Sequence, residues 1–318
     1  MASFLGIDIS KATFHACLLI DQGEAKRVFP NSPKGFEQLA AWLKNRRAVD
    51  IHVCMEATGP YWEPLAMHLY GLEYRVSVIN PARIKAFAQS ELLRTKTDAV
   101  DAALIARFCK SQSPEPWVPP SPEIRVLQAL MRHYEHLKTT RAQQSVYAQS
   151  LEAVVVTASI REVIAMLDEQ IAQVERKIRQ HFDDHPDLKR RRDLLTSIPG
   201  IGETTAGSIL SEIPHLDRFQ SAKAVAAFAG LSPRERRSGT SIHGRPRLCK
   251  IGNARLRKAL YMPAIVALRF NPVLKIFADR LAAAGKHKRL IIGAVMRKLL
   301  VLAYGILRSG VAFDANYA

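Results

Sequence analysis

Four carboxylates in the first third of the sequence are spaced in a way that suits metal-dependent chemistry. Asp8 lies in a strand-like stretch, GIDIS, where β-propensity disfavours an acid and the side chain would face a half-buried surface. Glu56 ends a second strand-like stretch, VCMEATG, just before a Gly-Pro turn. Asp98 and Asp101 stand three positions apart, on one face of a predicted helix.

The two helical acids also have a simpler interpretation. Asp98 would be the N-cap and Asp101 the third helical position, because both are favoured by the positive end of a helix. For the pair alone this interpretation is the better one. The preference between the two interpretations changes when Asp8 and Glu56 are considered as well, since strands of one sheet can bring acids together with a helix N-terminus.

Clustered carboxylates repel one another, so such a group is stable only with cations or with shifted pKa values. Hard divalent cations choose oxygen ligands, and a pair of them can hold the attacking and leaving oxygens of a phosphoryl displacement. The four acids therefore predict a Mg²⁺ or Mn²⁺ site and chemistry on nucleic acid.

The elements that must position these acids form a predicted α/β domain over residues 1–112. Strand-like stretches predict an antiparallel meander, after which helices and strands alternate, and together they indicate a mixed sheet. The predicted strands are 4–9, 13–20, about 25–29, 51–57 and 74–80, and the predicted helices are 34–46, 61–70 and two that begin at Ala82 and Asp98.

A Pro-rich segment, SPEPWVPPSP, opens a linker and coiled-coil region predicted over 113–185. Apolar residues in it recur at alternating spacings of four and three, the a/d repeat of a coiled coil. They are Ile160, Ile164, Leu167, Ile171, Val174 and Ile178. A helical hairpin within the chain and a homo-oligomer both explain the repeat.

Charge separates a third region, 186–318, from the others. The 318-residue chain carries +17 at neutral pH, of which +16 falls in this region, against +3 for residues 1–110 and −2 for 111–185. A basic balance concentrated in this way predicts a polyanionic partner. Nine basic residues stand between 234 and 258: Arg234, Arg236, Arg237, Arg245, Arg247, Lys250, Arg255, Arg257 and Lys258. Such density neutralises phosphates and makes binding dependent on salt.

Two further features limit the class of protein to which this chain can belong. The four cysteines lie far apart without a C-x-x-C pair, which predicts neither a disulfide framework nor a zinc site and fits the cytoplasm. The most apolar window, from Arg289, is interrupted by Arg297 and Lys298, so a buried helix is predicted there and not a membrane span.

Residues 194–210, LLTSIPGIGETTAGSIL, resemble a helix-hairpin-helix. Gly200 and Gly202 would allow a tight hairpin whose amides, at a helix N-terminus, can reach a phosphate. A plain turn between core helices is the alternative. The following segment, RRSGTSIHG, reads as a loop in which Ser238 and Ser241 would cap turns, because no nucleophile-elbow motif surrounds them.

The order strand Asp, later strand Glu and helix Asp-x-x-Asp resembles the RuvC branch of the RNase H-like fold. With AAFAGLSPRE, RRSGTS, KIGNARLRKALY, EATGPYWEPLA and SIPGIGE, the whole chain resembles the DEDD transposases of the insertion-sequence family one-ten, which are serine recombinases guided by a bridge RNA. Cys249 departs from the pattern, since relatives often have Ser before the following Lys.

The resemblance implies that Asp8, Glu56, Asp98 and Asp101 bind metal and that Ser238 is the nucleophile, with Ser241 as runner-up and His243 nearby. It further implies donor and target DNA and a noncoding guide RNA as partners, and a homo-oligomer, a dimer or a synaptic tetramer, in which serine and acids come from different protomers. Two alternatives stay open: a RuvC-type junction nuclease that uses water, and a non-catalytic nucleic-acid binder.

Overall fold

The computed structural model describes residues 3–20, 23–46, 48, 50–92, 97–150, 154–238 and 242–317. The chain divides into two compact units, Met1–Pro119 and Pro120–Ala318, and each is described here by itself. The first unit ends within the Pro-rich segment, a few residues after the boundary predicted at 112. The predicted coiled-coil helices fall within the second unit, together with the basic region.

A five-stranded mixed sheet forms the first unit. Its strands are β1 (Ser3–Ile9), β2 (Thr13–Ile20), β3 (Gly23–Pro30), β4 (Ile51–Glu56) and β5 (Arg75–Ile79). They lie in the order β3-β2-β1-β4-β5, with β1, β2 and β3 antiparallel and β4 and β5 parallel to β1. This meander followed by parallel strands confirms the RNase H-like α/β fold.

Helices cover both faces of this sheet. They are α1 (Pro33–Asn45), α2 (Glu63–Gly71), α3 (Pro81–Ser90) and α4 (Asp98–Gln112). Leu5, Ile7 and Val53 point into the core that α1 and α2 cover, whereas Cys17 and Cys54 pack beneath α4. Successive side chains of a strand point to opposite faces of the sheet. The even-numbered residues of β1 therefore lie on the face that α4 covers, opposite to the face of Leu5 and Ile7.

The contact between β1 and α4 is unusually close at Gly6. A Cβ atom there would stand 2.2 Å from the carbonyl oxygen of Ala102 and 2.2 Å from the amide nitrogen of Ala106, both in α4. Only glycine permits this approach, and the small residues of α4 permit it from the other side. The approach sets the first turn of α4 over the ends of β1 and β4.

The second unit begins with two long helices, α5 (Pro122–Gln149) and α6 (Val154–Asp183), which pack on each other. The Tyr134 hydroxyl lies 2.9 Å from Glu175 Oε1, and Arg141 Nε lies 2.9 Å from Asp168 Oδ1. Leu167, Val174 and Ile178 of the a/d repeat are buried in the shared core. The repeat is therefore satisfied within one chain, as the hairpin alternative predicted.

The rest of the second unit is mostly helical. Its elements are α7 (Pro186–Thr196), α8 (Glu203–Glu212), a 3-10 turn (Leu216–Arg218), α9 (Ala222–Phe228), β6 (Pro233–Ser238), β7 (Ile242–Leu248), α10 (Ala254–Ala259), α11 (Tyr261–Phe270), α12 (Pro272–Ala283), α13 (Lys288–Ser309) and a 3-10 turn (Ala315–Tyr317). Among the described residues, α13 is long and apolar enough to cross a membrane. Val295, Leu299 and Ala303 of α13 are nevertheless buried in this unit's core.

Two predictions for the basic region are wrong. The segment around Ser238 is an antiparallel hairpin of β6 and β7, not a loop. It was missed because its run of charged residues lacks the apolar alternation that marks a strand. The helix predicted to continue through residues 254–264 breaks at Leu260, since Pro263 has no amide hydrogen to bond the preceding turn.

Substitution of Gly6 by Ala is expected to destabilise the first unit by more than about 2 kcal/mol, because the new methyl group would overlap backbone atoms of α4. Urea unfolding of the full chain, followed by tryptophan fluorescence, measures this selectively, since the three tryptophans, Trp42, Trp62 and Trp117, all lie in the first unit.

The matched control is Gly71→Ala, at a glycine of α2 where an added Cβ meets no atom within 4 Å. It should change stability by no more than about 1 kcal/mol. Equal midpoints for Gly6→Ala and wild type would contradict the close-packing account.

Candidate functional site

Asp8 and Glu56 lie at the same end of the sheet, near the C-terminal ends of two inner strands. β1 and β4 are parallel neighbours with Ile7 opposite Met55, so the next residues, Asp8 and Glu56, are side by side at the ends of their strands. Both are half-buried and both lie on the face that α4 covers. The Thr58 hydroxyl donates to Glu56 Oε1 at 2.9 Å and orients that carboxylate.

Asp98 and Asp101 come from the first turn of α4. Thr97, not Asp98, is the N-cap: its backbone is extended and its hydroxyl accepts from the amide of Val100 at 3.3 Å. The capping role predicted for Asp98 is therefore wrong, because the threonine one position earlier takes it. Neither carboxylate is needed to cap the helix, and both remain free for another purpose.

The pKa of Asp8 shows that the four acids act on one another. It rises from its ordinary 3.8 to about 6, first because the carboxyl group is buried and then because Asp101, Asp98 and Glu56 place negative charge near it. His15 opposes this shift weakly. A carboxyl group that holds its proton so firmly marks a place with more negative charge than the fold neutralises.

This excess of negative charge fits a divalent cation. Mg²⁺ and Mn²⁺ prefer carboxylate oxygens, and the four acids supply these from three elements. The four acids are more widely spaced than a closed metal cluster: among the described residues, the group whose ligand atoms all lie within 4.8 Å of one another is a different one, in the same unit.

His15 belongs to this site although it was not predicted from the sequence. Its Nε2 lies 3.5 Å from Asp98 Oδ2, and it stands opposite Asp8 across the β1–β2 ladder. The sequence did hold a signal for it. The connection between the two antiparallel strands β1 and β2 is three residues long, 10–12. With this connection the numbers of two opposite residues add up to 23, so residue 15 stands opposite residue 8.

Ser238 is the last residue of β6 and so lies in the second unit, apart from the unit that carries the acids. His243 lies in β7, opposite Arg237. Ser241 lies outside the described residues. Cys249 follows β7 and donates its amide to the carbonyl of Ser232 at 2.9 Å.

The predicted basic residues differ in how exposed their side chains are, and therefore in how readily they could bind a phosphate. Arg234 and Arg247 are opposite each other on the hairpin, and both are exposed. Lys250 and Lys258 are exposed, as is Arg255, which faces Glu212 at 4.0 Å. The side chains of Arg236, Arg237 and Arg245 lie outside those described.

Arg257 has a structural partner. Its Nη1 donates to the carbonyl of Ala229 at 2.9 Å, which fixes the loop between α9 and β6. Gly230 lies beside it with a φ of +68°, a conformation that glycine adopts readily and other residues do not. Arg257 therefore has a structural role in the basic region.

The two glycines of the helix-hairpin-helix segment also differ. Gly200 has a φ of +107°, and a Cβ there would stand 2.7 Å from that of Ala267, so packing against α11 requires glycine. Gly202 is exposed and precedes α8 without a side-chain cap. The amides of the first turn of α8 are the ones that a phosphate could reach.

Family models match two parts of the chain. The model of the DEDD transposase of IS110 matches residues 5–155, and the model of the transposase of the IS116/IS110/IS902 family matches residues 192–279. The pilin gene-inverting protein of Moraxella bovis is 37% identical over 315 residues, which cover 98% of each chain. The chain belongs to the IS110 family of transposases.

A second pilin gene-inverting protein and one solved structure also match the transposase. The pilin gene-inverting protein of Moraxella lacunata is likewise 37% identical over 98% of both chains. Among solved structures, T. thermophilus RuvC in complex with a Holliday junction substrate matches with a TM-score of 0.29 and 11% identity, over 37% of this chain and all of that one.

Asp8→Asn is expected to stabilise the first unit of the transposase at neutral pH when no divalent cation is present. The pKa of Asp8 in the folded protein lies above 3.8, so the folded state binds the proton more tightly than the unfolded state. Stability from this group is complete below pH 3.8 and is lost as the pH rises through about 6. The loss amounts to about 1–2 kcal/mol after solvent screening.

Urea unfolding followed by tryptophan fluorescence between pH 4 and 8 measures this difference. The pH dependence should flatten in Asp8→Asn and persist in Glu37→Gln, a control at an exposed acid of α1. Added Mn²⁺ should stabilise the wild type and the control but not Asp8→Asn. A variant less stable than wild type throughout this range would contradict the proposed charge crowding.

Proposed function

We propose that this transposase cuts and rejoins donor and target DNA through a phosphoserine intermediate at Ser238, assisted by Mg²⁺ or Mn²⁺ held by four acids. The observation that carries the proposal is the placement of Asp8 and Glu56 side by side on β1 and β4, with Asp98 and Asp101 in the first turn of the helix that covers that face. The raised pKa of Asp8, which comes first from burial and then from these neighbouring acids, accords with it. Membership of a transposase family supplies the substrate class.

The acids would serve as ligands. When bound, a divalent cation promotes ionisation of a hydroxyl and stabilises negative charge on a phosphate. Thr58 holds the Glu56 carboxylate, and His15 lies against Asp98, so both are positioning residues. The half-buried setting of Asp8 keeps the acids in a region of reduced solvent, where charge interactions are stronger.

Ser238 would supply the nucleophile. Its oxygen bonds to the phosphorus of a DNA phosphodiester, the bond from phosphorus to the leaving sugar oxygen breaks, and the serine proton leaves while the sugar oxygen gains one. The number of phosphoester bonds does not change. A hydroxyl from another DNA end can therefore reverse the step and rejoin the strands without a nucleotide cofactor.

The basic second unit would hold the nucleic acids. Its charge suits DNA and a noncoding guide RNA alike, and the exposed Arg234 and Arg247 place cations on the same hairpin as Ser238. Positive charge of this density binds backbones regardless of sequence. Sequence choice would then fall to pairing between the guide RNA and the DNA, in the bacterial cytoplasm.

Assembly would bring the serine of one protomer to the acids of another. Exposed apolar side chains at the end of α5 and the start of α6 support assembly through that hairpin, since Val146 is 67% and Val155 85% exposed. Exposed apolar groups close together mark interaction sites in soluble proteins. A dimer, or a tetramer on DNA, would complete each active site.

Site-specific inversion is a second candidate function. It is favoured by the pilin gene-inverting proteins, which match this chain at 37% identity over 98% of both lengths. Inversion and transposition use the same bond exchange and differ in where the exchanged ends lie. A plasmid with two sites in opposite orientation, recovered and sequenced, distinguishes them, because inversion keeps both sites in one molecule.

The serine is tested by incubating protein, Mg²⁺, RNA from the element's flank and end-labelled donor and target DNA. Wild type should give protein-linked label on a denaturing gel, and Ser238→Ala and Asp98→Asn should reduce it by at least about 1,000-fold, as removal of a nucleophile or of its activation does. Ser241→Ala should retain it, and omission of the RNA should abolish it.

Other results of this experiment would assign the protein a different mechanism. Free cleaved ends that persist in Ser238→Ala would replace the proposal with a water-using nuclease. Label that is lost in Ser241→Ala but kept in Ser238→Ala would move the nucleophile. Strand exchange that survives Asp8→Asn and Asp98→Asn would assign the protein a binding role only.

The DNA-binding role of the β6–β7 hairpin predicts a change in salt dependence. Arg234→Ala with Arg247→Ala should weaken binding and lower the slope of log K against log salt by about 1.8, if each side chain meets one phosphate. Fluorescence anisotropy on a duplex at several salt concentrations measures the slope. Arg161→Ala with Arg176→Ala is the matched control, at two exposed arginines of α6, and an equal slope in both double variants would exclude the hairpin from the interface.

A further inference from the structure

Three buried side chains meet beneath α4, away from the acids. His52 and Cys54 are two residues apart on β4 and so lie on the same face, and Cys109 comes from α4. One ring nitrogen of His52 and the two sulfur atoms all lie within 4.8 Å of one another. His52 is 3% exposed, and both cysteines are fully buried.

Ser77 sets the tautomer of His52. The Ser77 hydroxyl is within hydrogen-bond distance of the Pro114 carbonyl at 3.1 Å and the Glu115 carbonyl at 2.8 Å, so its single hydrogen goes to these acceptors. His52 Nε2 lies 2.8 Å from the same hydroxyl oxygen and must therefore donate its hydrogen. The ring's lone pair is left on Nδ1.

Nδ1 of His52 is buried and has no hydrogen-bond partner. A buried acceptor without a partner costs free energy, and proteins rarely leave one unexplained. An imidazole whose second nitrogen donates to a fixed oxygen is also the arrangement found in histidines that bind metals, because the outer hydrogen bond orients the ring. His52, which keeps one ring nitrogen unpaired, and the two thiols lie close enough together to form a set of ligands.

We propose that His52, Cys54 and Cys109 form a site for one soft metal ion, Zn²⁺ or Cu⁺. Sulfur and imidazole ligands select these ions, whereas the acids at the end of the sheet select Mg²⁺ and Mn²⁺. The cysteines bind as thiolates and release their protons to solvent. Cu⁺ accepts three ligands, and Zn²⁺ takes a fourth.

The place of this site in the fold gives it a structural role. Cys54 is two residues before Glu56 on β4, and Cys109 is two turns after Asp101 on α4. A bound ion would therefore tie together the two elements that carry three of the four acids. The site does not depend on the proposed function, since none of its ligands is one of the four acids or Ser238.

Metal binding is tested on the full-length protein, purified under reducing conditions and held in excess Mg²⁺ to occupy the acids. Elemental analysis after incubation with Zn²⁺, and separately with Cu⁺ and ascorbate, should give one equivalent of one of these ions per chain. Competition with a chromophoric chelator should show at least about 100-fold weaker binding in Cys54→Ser and Cys109→Ser, and 10- to 100-fold weaker binding in Ser77→Ala.

Cys17→Ser is the matched control, because Cys17 is a fully buried cysteine of the same sheet outside the group. It should bind metal as wild type does. X-ray absorption on metal-loaded wild type supplies a readout that needs no variant, and it should show two sulfur ligands and one imidazole.

Several outcomes would overturn the site. They are less than a tenth of an equivalent of either ion, equal loss in Cys17→Ser and Cys54→Ser, or a shell of oxygen and nitrogen alone. A disulfide between Cys54 and Cys109 under these reducing conditions, detected by mass, would also overturn it.

Discussion

The close approach of α4 to β1 is the contact on which the rest of the first unit depends. Because Gly6 lacks a side chain, backbone atoms of Ala102 and Ala106 occupy the space where a Cβ would stand. That contact fixes both the height and the direction of α4. Its first turn then lies over the edge of the sheet where Asp8 and Glu56 end their strands, and its last turns lie over His52 and Cys54.

This arrangement concentrates like charge inside a chain that is strongly basic as a whole. Burial and then the neighbouring acids raise the pKa of Asp8, so at neutral pH the first unit is less stable than its packing alone would make it. Such a cost is common where function needs a group that the fold does not favour. The basic excess lies in the second unit, not in the unit that carries the acids.

Much of the first unit was predictable because apolar alternation specifies its strands and their buried face. Asp8 stands out for the same reason, since an acid within a strand conflicts with that pattern, and the assignment of the four acids as a metal site stays a prediction. His15 was missed because its role depends on strand register, and the cap was misassigned because Thr97 and Asp98 are both good caps. The β6–β7 hairpin has no apolar alternation to reveal it. No pattern in the sequence links Ser238 to the acids, since they belong to separate units.

The most direct test of the central claim is to identify the residue that becomes linked to DNA. Wild-type protein is trapped on donor DNA with Mg²⁺ and the flanking RNA, digested with nuclease and protease, and analysed by tandem mass spectrometry. The account predicts a nucleotide remnant on Ser238. A remnant on another residue, or cleaved DNA with no modified peptide, would contradict it.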